Sequence, residues 1–401
     1  MDESELLTLD RLAVESLNSI DRRRFAWNSL AAMEGRPFVG LVGPRGSGKT
    51  VLLRQLRRKR TDSLYLSADT LQRDANFFEL VRRLYEGYGI SSFFVDEIHA
   101  IDDYPRHLKQ IYDFLPVRLW FTSSVSLSLT AAAWDLSRRV ERRTLLPFSY
   151  REYLWFVGES KREPLPLHVC LSEPIPSDYL RLQGRFESYL CGGLHPFMLQ
   201  PGSAIDLFAN VLETVITRDI PRFDRQLTVE DIDKLRKTVE FIGRSPVDGI
   251  NYSSVSSNVG VTKYKAEKYL DYLERSFILT RVFPVGTNVL KEPKVLLQLP
   301  YRLVYQSYDD GLGALREEFF ATAMHQHHQP FAYAKSTRGA KTPDYVTDLA
   351  GATTVIEIGG RRKGRSRFKG LDYDRKVVLF DGDASGIRPG ERVPLFCIGF
   401  A

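Results

Sequence analysis

Sulfur is scarce in this chain, which has three cysteines and four methionines among 401 residues. Cys170, Cys191 and Cys397 are widely spaced and form no C-x-x-C pair, which excludes a disulfide framework and a zinc-finger pattern and leaves them as small buried hydrophobes. Long apolar runs are missing too: none approaches the ~18 residues a membrane helix needs. The acidic start Met1-Asp-Glu-Ser-Glu5 has nothing of a secretory signal, so a cytoplasmic protein without a membrane partner is expected. Histidine is rare, and its one cluster, His325, His327 and His328, has no carboxylate or cysteine spacing that would make a dedicated metal site. A net charge of +6 is a mild excess that permits nucleic-acid binding without requiring it. What remains, 43% hydrophobic and 26% charged residues, is the composition of a globular protein, and the length suggests two or three domains.

The most specific pattern is Phe38-Val-Gly-Leu-Val-Gly-Pro-Arg-Gly-Ser-Gly-Lys-Thr50, in which G-x-x-x-x-G-K-T follows an apolar run directly. Phe38 to Val42 reads as a buried parallel strand and Thr50 to Leu56 as a helix, so the loop would present an anion to a helix N-terminus. Gly43, Pro44, Arg45, Gly46, Ser47 and Gly48 would turn backbone N–H groups onto phosphates, because glycine tolerates the conformations such a nest requires. Lys49 would meet the β- and γ-phosphates and Thr50 would ligate Mg²⁺, which makes ATP and Mg²⁺ the expected cofactors.

A second acidic strand is needed to hold the metal and orient water, and Ser91-Ser-Phe-Phe-Val-Asp-Glu-Ile98 supplies one. Asp96 would reach Mg²⁺ through its water shell, while Glu97 would polarise the attacking water. A further apolar segment, 117–124, ends in hydroxyls, as expected of the strand between the two nucleotide strands. Thr122 is the expected γ-phosphate sensor, with Ser123 and Ser124 behind it; helix capping by these hydroxyls is the alternative.

Taken together, Gly-Pro-Arg-Gly-Ser-Gly-Lys-Thr-x-Leu-Leu, Val-Asp-Glu-Ile-His-x-Ile-x-Asp-Tyr, Phe-Thr-Ser-Ser and Leu-Pro-Phe-Ser-Tyr-Arg-Glu-Tyr-Leu resemble the prokaryotic AAA-superfamily ATPases that carry a C-terminal domain of unknown function. Tyr189-Leu-Cys-Gly-Gly-Leu-His-Pro196 is similar to that family's Gly-Gly-x-Pro element, and the resemblance implies that His195 and Pro196 lie near the nucleotide base. It also implies a P-loop ATPase of the additional-strand class in which Arg138 or Arg139 reaches a γ-phosphate of its own or a neighbouring subunit. The family has Gly-Arg at this place, which favours Arg139 as a fixed cationic fork and would make a homo-oligomer the working form.

From Asp206 to Ile242 the apolar residues recur at helical spacing. Next, Tyr252 to Glu274 reads as helix, turn at Gly260, cap at Thr262 and second helix, and the strand-like Phe277–Phe283 completes a winged helix-turn-helix. Lys263, Lys265 and Lys268 fall on the outer face of the second helix, where they would suit duplex DNA or merely a solvated packing module.

In the last hundred residues, an amphipathic helix over Leu315–Met324 precedes two β-rich runs, 343–349 and 353–358, joined by the hairpin signal Ala350-Gly351. This arrangement resembles the restriction-endonuclease-like fold, with Glu317, Asp344 and Glu357 sharing a second divalent metal. Gly359 stands where that fold has the lysine of Glu-x-Lys. Lys363 could reach in from the loop, but the run Arg361, Arg362, Lys363 to Lys369 suits phosphate contact, and with Gly359 in the lysine's place a domain retained for binding is expected over one that cleaves.

The expected fold is therefore α/β: a P-loop NTPase parallel sheet over 1–155, a helical connector over 156–245, a winged helix over 246–305 and a nuclease-like α/β domain over 306–401. An ATP-driven switch or motor acting on nucleic acid, first of all DNA, is the leading expectation. A signalling ATPase that controls protein assembly and an ATP-licensed nuclease are the alternatives.

Overall fold

The computed structural model describes the chain except for residues 1, 73, 125–135, 201, 203–204, 287–291, 335–341, 366–367, 369–372 and 383–385. Arg367 and Lys369 of the expected basic loop thus lie outside the described residues. Two compact units succeed one another, Met1–Pro147 and Phe148–Ala401.

The first unit is built on strands β1 (Phe38–Val42), β2 (Ser63–Ser67), β3 (Ser92–Asp96), β4 (Arg118–Ser123) and β5 (Val140–Thr144), in the order β2-β3-β4-β1-β5, each neighbour pair parallel. β4 therefore stands between β1 and β3, the strands that end in the P-loop and in Asp96. All five residues of β1 and of β3 are buried, the unbroken apolar pattern of a parallel strand covered on both faces. Helix α1 (Glu3–Glu15), α2 (Ala26–Ala31), α3 (Lys49–Arg58), α4 (Phe77–Tyr88) and α5 (Tyr104–Phe114) surround the sheet in sequence. Helix α3 buries Leu52, Leu53 and Leu56 in the cluster that also holds Val39, Leu41, Phe94 and Trp120. Each such leucine contributes ~2 kcal/mol by leaving water. Arg57 and Arg58 close the last turn of α3, where cations suit the helix dipole.

Helix α1 was not assigned a role by sequence, and the structure gives it one. Its Asp10, buried, accepts Arg57 of α3 through Nε at 2.7 Å and Nη2 at 2.5 Å, and the backbone N–H of Tyr65 on β2 at 2.7 Å. One carboxylate thus ties the N-terminal helix to the P-loop helix and to an edge strand.

The second unit places helices α6 (Tyr150–Phe156), α7 (Asp206–Thr214) and α8 (Val229–Arg244) before a pair, α9 (Tyr252–Val259) and α10 (Lys263–Arg275). Gly260 caps α9 in the left-handed region at φ 69°, and the Thr262 side chain accepts the Lys265 N–H to start α10, as the turn residues require. An antiparallel ribbon of β6 (Leu279–Val282) and β7 (Lys294–Leu297) follows. Helix α11 (Tyr308–Gln326) leads into a five-stranded sheet of order β12-β11-β10-β9-β8, where β8 is Ala332–Tyr333, β9 Tyr345–Leu349, β10 Ala352–Gly360, β11 Arg375–Asp381 and β12 Arg392–Pro394. The expected hairpin is present: Ala350 at φ 52° and Gly351 at φ 80° turn β9 antiparallel onto β10.

Two features differ from the sequence reading. Helix α11 is not amphipathic over its second half: Phe319, Phe320, Ala321, Thr322, Ala323 and Met324 are all buried, because it runs through the middle of the unit's core. Nor do the three segments expected after residue 155 keep separate cores. One apolar cluster gathers Phe148, Tyr150 and Tyr189 with Leu296, Phe319, Ile356 and Phe396, so residues of each segment pack as one body. Within it Arg302 and Glu318, both fully buried, form an ion pair of 2.7 Å, and Arg302 Nη1 donates to the carbonyls of Ile242, Gly243 and Ser245.

Candidate nucleotide site

The loop between β1 and α3 is shaped by its glycines. Gly46 and Gly48 adopt φ of 77° and 89°, and a Cβ on Gly43 would lie 2.2 Å from the carbonyl oxygen of Leu145. Only glycine fits these places. The Lys49 ammonium folds back over the loop and donates to the carbonyls of Gly43 at 2.8 Å and Pro44 at 2.9 Å. The Ser47 hydroxyl is buried without a partner among the described residues, the kind of polar atom that a bound phosphate would satisfy. Arg24, arriving from the N-terminal segment, donates to the Ser47 and Leu146 carbonyls and braces the loop from behind.

Asp96 ends β3 and both of its oxygens are engaged. Thr122 on β4 donates its hydroxyl to Oδ1, and the Tyr65 hydroxyl donates to Oδ2 at 3.1 Å. Thr122 also accepts the Glu97 N–H at 2.9 Å. The fully buried Thr122 therefore positions the acidic pair, and its proton is committed to Asp96. The Ser124 hydroxyl, in contrast, is buried without a partner among the described residues. Glu97 sits at φ 50°, with Oε2 3.2 Å from His99 Nδ1 and 3.3 Å from the Ser124 N–H. Burial pushes its carboxyl up, but the charges of His99, Lys49 and Arg45 outweigh burial and hold it below the usual carboxylate range, hence ionised at neutral pH.

These residues fit a magnesium nucleotide: the loop N–H groups and Lys49 for the phosphates, Thr50 and Asp96 for the metal, Glu97 for the water. The metal, when bound, neutralises phosphate charge. Sequence reasoning missed Tyr65, Arg24 and Asp10. The alternation of Ser63, Leu64, Tyr65, Leu66 and Ser67 was the available signal, since it places a phenol on the polar-tipped face of β2. Replacing Tyr65 by phenylalanine removes the bond accepted from Arg54 at 3.2 Å and the bond donated to Asp96; losing the latter, ~1 kcal/mol, corresponds to about a five-fold higher Mg²⁺ requirement for nucleotide binding. A Mg²⁺ titration of fluorescent-nucleotide binding measures it, and an unchanged midpoint would remove Tyr65 from the site.

The remaining expected residues belong to other elements. Arg139 precedes β5 at the end of the sheet opposite the P-loop, where Nε and Nη2 hold Asp113 at 3.0 and 2.9 Å. Five strand residues separate that end from the loop, ~16 Å at the rise of a strand, so Arg139 does not reach the phosphate loop of its own chain; Arg138 beside it is exposed. His195 is buried in the second unit, its ring 5.0 Å from Phe208 and its Nε2 3.4 Å from the Leu299 carbonyl, and Pro196 opens the short turn after it. The three lysines of α10 are each engaged: Lys263 with Glu292, Lys265 with Asp231 at 2.8 Å and Lys268 with Asp224 at 2.9 Å. Hydrogen bonds from Lys265 and Tyr269 hold Asp231 well below its ordinary range, so the helix carries paired charge and no bare cationic face.

The three-carboxylate metal site is not met either. Among the described residues no group of three or more His, Cys, Asp or Glu side chains is placed to hold a metal ion. Glu317 is taken by Lys294 and by the Tyr345 hydroxyl, each at 2.6 Å, and Asp344 accepts the Ile358 N–H at 2.8 Å. Glu357, fully buried, pairs with Lys363 at 2.6 Å. The vacancy at Gly359 is filled: a Cβ there would lie 2.6 Å from Lys363 Cδ, so the Lys363 side chain occupies the space that a residue-359 side chain would claim. Arg361 and Arg362 are exposed beyond the end of β10.

Residues 35–154 match the AAA domain family, and residues 183–298 match a domain of unknown function, DUF8612. That second match falls on the helical and ribbon segments, before the sheet that resembled a nuclease. The chain is similar to uncharacterized protein MJ1637 of Methanocaldococcus jannaschii, 27% identical over 286 residues, which span 65% of this chain and 60% of that protein. Among solved structures it is similar to the Walker-type ATPase PABY2304 of Pyrococcus abyssi (15% identity, 72% of this chain and 96% of that one, TM-score 0.44). It is also similar to the Aeropyrum pernix ORC1 protein, solved in complex with DNA (13% identity, 78% and 97%, TM-score 0.35). No described helix is long and apolar enough to cross a membrane. The match to the AAA domain family falls almost entirely within the first unit and takes in the phosphate loop, Asp96, Glu97 and Thr122.

Proposed function

We propose that this chain binds ATP with Mg²⁺, hydrolyses it, and uses the cycle as a switch acting on nucleic acid, first of all DNA. One observation carries the nucleotide part of the reading: a loop that only glycine can form and the doubly held Asp96 stand on strands separated by β4 alone. Lys49 and the loop N–H groups orient the phosphates, Asp96 and Thr50 hold the metal, Glu97 accepts the proton of the attacking water, and Ser124 is the hydroxyl left to sense the γ-phosphate. Arg139 would act only across an interface, on the nucleotide of a neighbouring copy. The α9-turn-α10 pair with its ribbon has the element order of a winged helix. Its paired lysines suit packing, and a nucleic-acid partner would bind elsewhere on the chain. Steady-state ATP hydrolysis with and without single-stranded and duplex DNA tests the proposal. A rate raised several-fold by DNA is expected; hydrolysis indifferent to DNA would replace it with a switch that controls protein assembly.

A second reading, ATP-licensed phosphodiester cleavage by the β9-β10 region, is favoured by the position of Lys363, which brings an ammonium to Glu357 despite Gly359. Nicking of supercoiled plasmid with Mg²⁺ or Mn²⁺ by wild type, lost in Glu357→Gln and in Lys363→Ala, would support it; intact plasmid at all metal concentrations leaves the domain a binding module.

A further inference from the structure

We infer that a second surface of the first unit, where the end of α3 meets α2 and the start of β4, is a contact surface for the phosphodiester backbone of nucleic acid. The inference rests on the proposal that this chain acts on nucleic acid, and it moves the contact away from the α10 helix, where the sequence put it. Five cations gather here: Arg23, Arg58, Lys59, Arg60 and Arg118. Arg23 Cζ lies 4.0 Å and Lys59 Nζ 5.5 Å from the ring centre of Trp27. Arg60 and Arg118 lie 4.6 and 4.9 Å from that of Trp120. Both indoles pack on the same apolar cluster as α3, so the two cation groups belong to one continuous edge.

Beside Trp27 a hollow of about 470 Å³ is lined by Arg23, Gln55, Arg58 and Lys59, with Asp21 its single carboxylate. None of Arg23, Arg58, Lys59 and Arg60 forms an ion pair with a carboxylate among the described residues, whereas every lysine of α10 does. Burial lowers the affinity of Arg118 for its proton and the charge of Arg60 lowers it further, with Glu34 offsetting part, so like charges are crowded here. An anion laid along this edge relieves that crowding.

Nucleic acid fits better than an acidic peptide for a geometric reason. Guanidinium groups stacked over indoles carry forked donors of the kind that match phosphate oxygens; Arg118 spends Nη2 on the Met33 carbonyl at 2.8 Å, so Arg23 and Arg60 are the stacked arginines offered to a ligand. The half-buried Trp27 adds an aromatic face among the cations, as surfaces that track a strand do.

The test is fluorescence anisotropy of the full chain with labelled oligonucleotides, single-stranded and duplex, between about 50 and 200 mM salt. In Arg23→Gln/Arg58→Gln/Lys59→Gln the slope of log affinity against log salt is expected to fall by about 2 for single strands and about 3 for duplex, the loss of roughly three phosphate contacts. Lys263→Gln/Lys265→Gln/Lys268→Gln is expected to keep the wild-type slope. An unchanged thermal midpoint and retained binding of Mg²⁺ nucleotide establish that each variant is folded. A wild-type slope in the first variant, or a loss confined to the second, overturns this surface while leaving a nucleic-acid function standing. Poly-glutamate that competes as well as DNA also overturns it, in favour of an acidic protein partner. Absence of any DNA binding by wild type at the lowest salt refutes the nucleic-acid function itself.

Discussion

Replacing Lys49 by alanine is expected to lower ATP turnover by about 10³-fold, the scale of losing one preorganised charge aimed at the reacting group. The ammonium is almost completely buried and held by two carbonyls of its own loop, at 2.8 and 2.9 Å. It therefore meets a phosphate without first being gathered from solvent, and that preorganisation is what the substitution removes. The deletion also strips the Gly43 and Pro44 carbonyls of a donor, so nucleotide affinity falls with the rate. Phosphate release measured beside the thermal midpoint separates loss of chemistry from loss of fold. Turnover above about a tenth of wild type would place catalysis away from this loop, because a single charge in such a site is worth ~4 kcal/mol.

The largest expected effect on stability belongs to Arg302 in the second unit. Arg302→Met leaves the Glu318 carboxylate buried and uncompensated and takes the Arg302 donor from the carbonyls of Ile242 and Ser245, while Gly243 keeps the Gln306 amide at 2.8 Å. Breaking one partner of such a pair costs about 3–5 kcal/mol, whereas replacing both by apolar residues is often nearly neutral. The burial of Glu318 pushes its carboxyl up and Arg302 offsets that push, so each group depends on the other to tolerate the interior. Chemical denaturation should show Arg302→Met strongly destabilised and Arg302→Met/Glu318→Met recovering much of the loss. Equal destabilisation of the single and double variants would mean that the carbonyl contacts, and not the charge pair, hold α8 to α11.

The parts of this protein legible in its sequence are those where a local conformation demands a residue type. The phosphate loop needed glycine at 43, 46 and 48, the β9-β10 turn needed Gly351 at positive φ, and the α9-α10 turn needed Gly260 and Thr262. What the sequence hid is contact between residues far apart along the chain. Asp10 meets Tyr65 across 55 positions and Tyr65 meets Asp96 across 31, and no periodicity records such pairs. The lysines of α10 looked like a cationic face because Asp224, Asp231 and Glu292, which take their charge, come from other elements. Lys363 shows the same limit: spacing marked Gly359 as a missing lysine, while the chain beyond β10 folds an ammonium back to Glu357. Arg139 was chosen by resemblance to a motif, and its pairing with Asp113 depends on the parallel register that sets it at the far end of β5.

The most direct test of the account is calorimetric titration of ATP with Mg²⁺ into the full chain and into its Lys49→Ala and Glu97→Gln variants. The account predicts about one site per chain in wild type, as a single phosphate loop implies, the same binding in Glu97→Gln, where only water activation is removed, and severely weakened binding in Lys49→Ala. Wild type that takes up no nucleotide, or binding undiminished in Lys49→Ala, would contradict it.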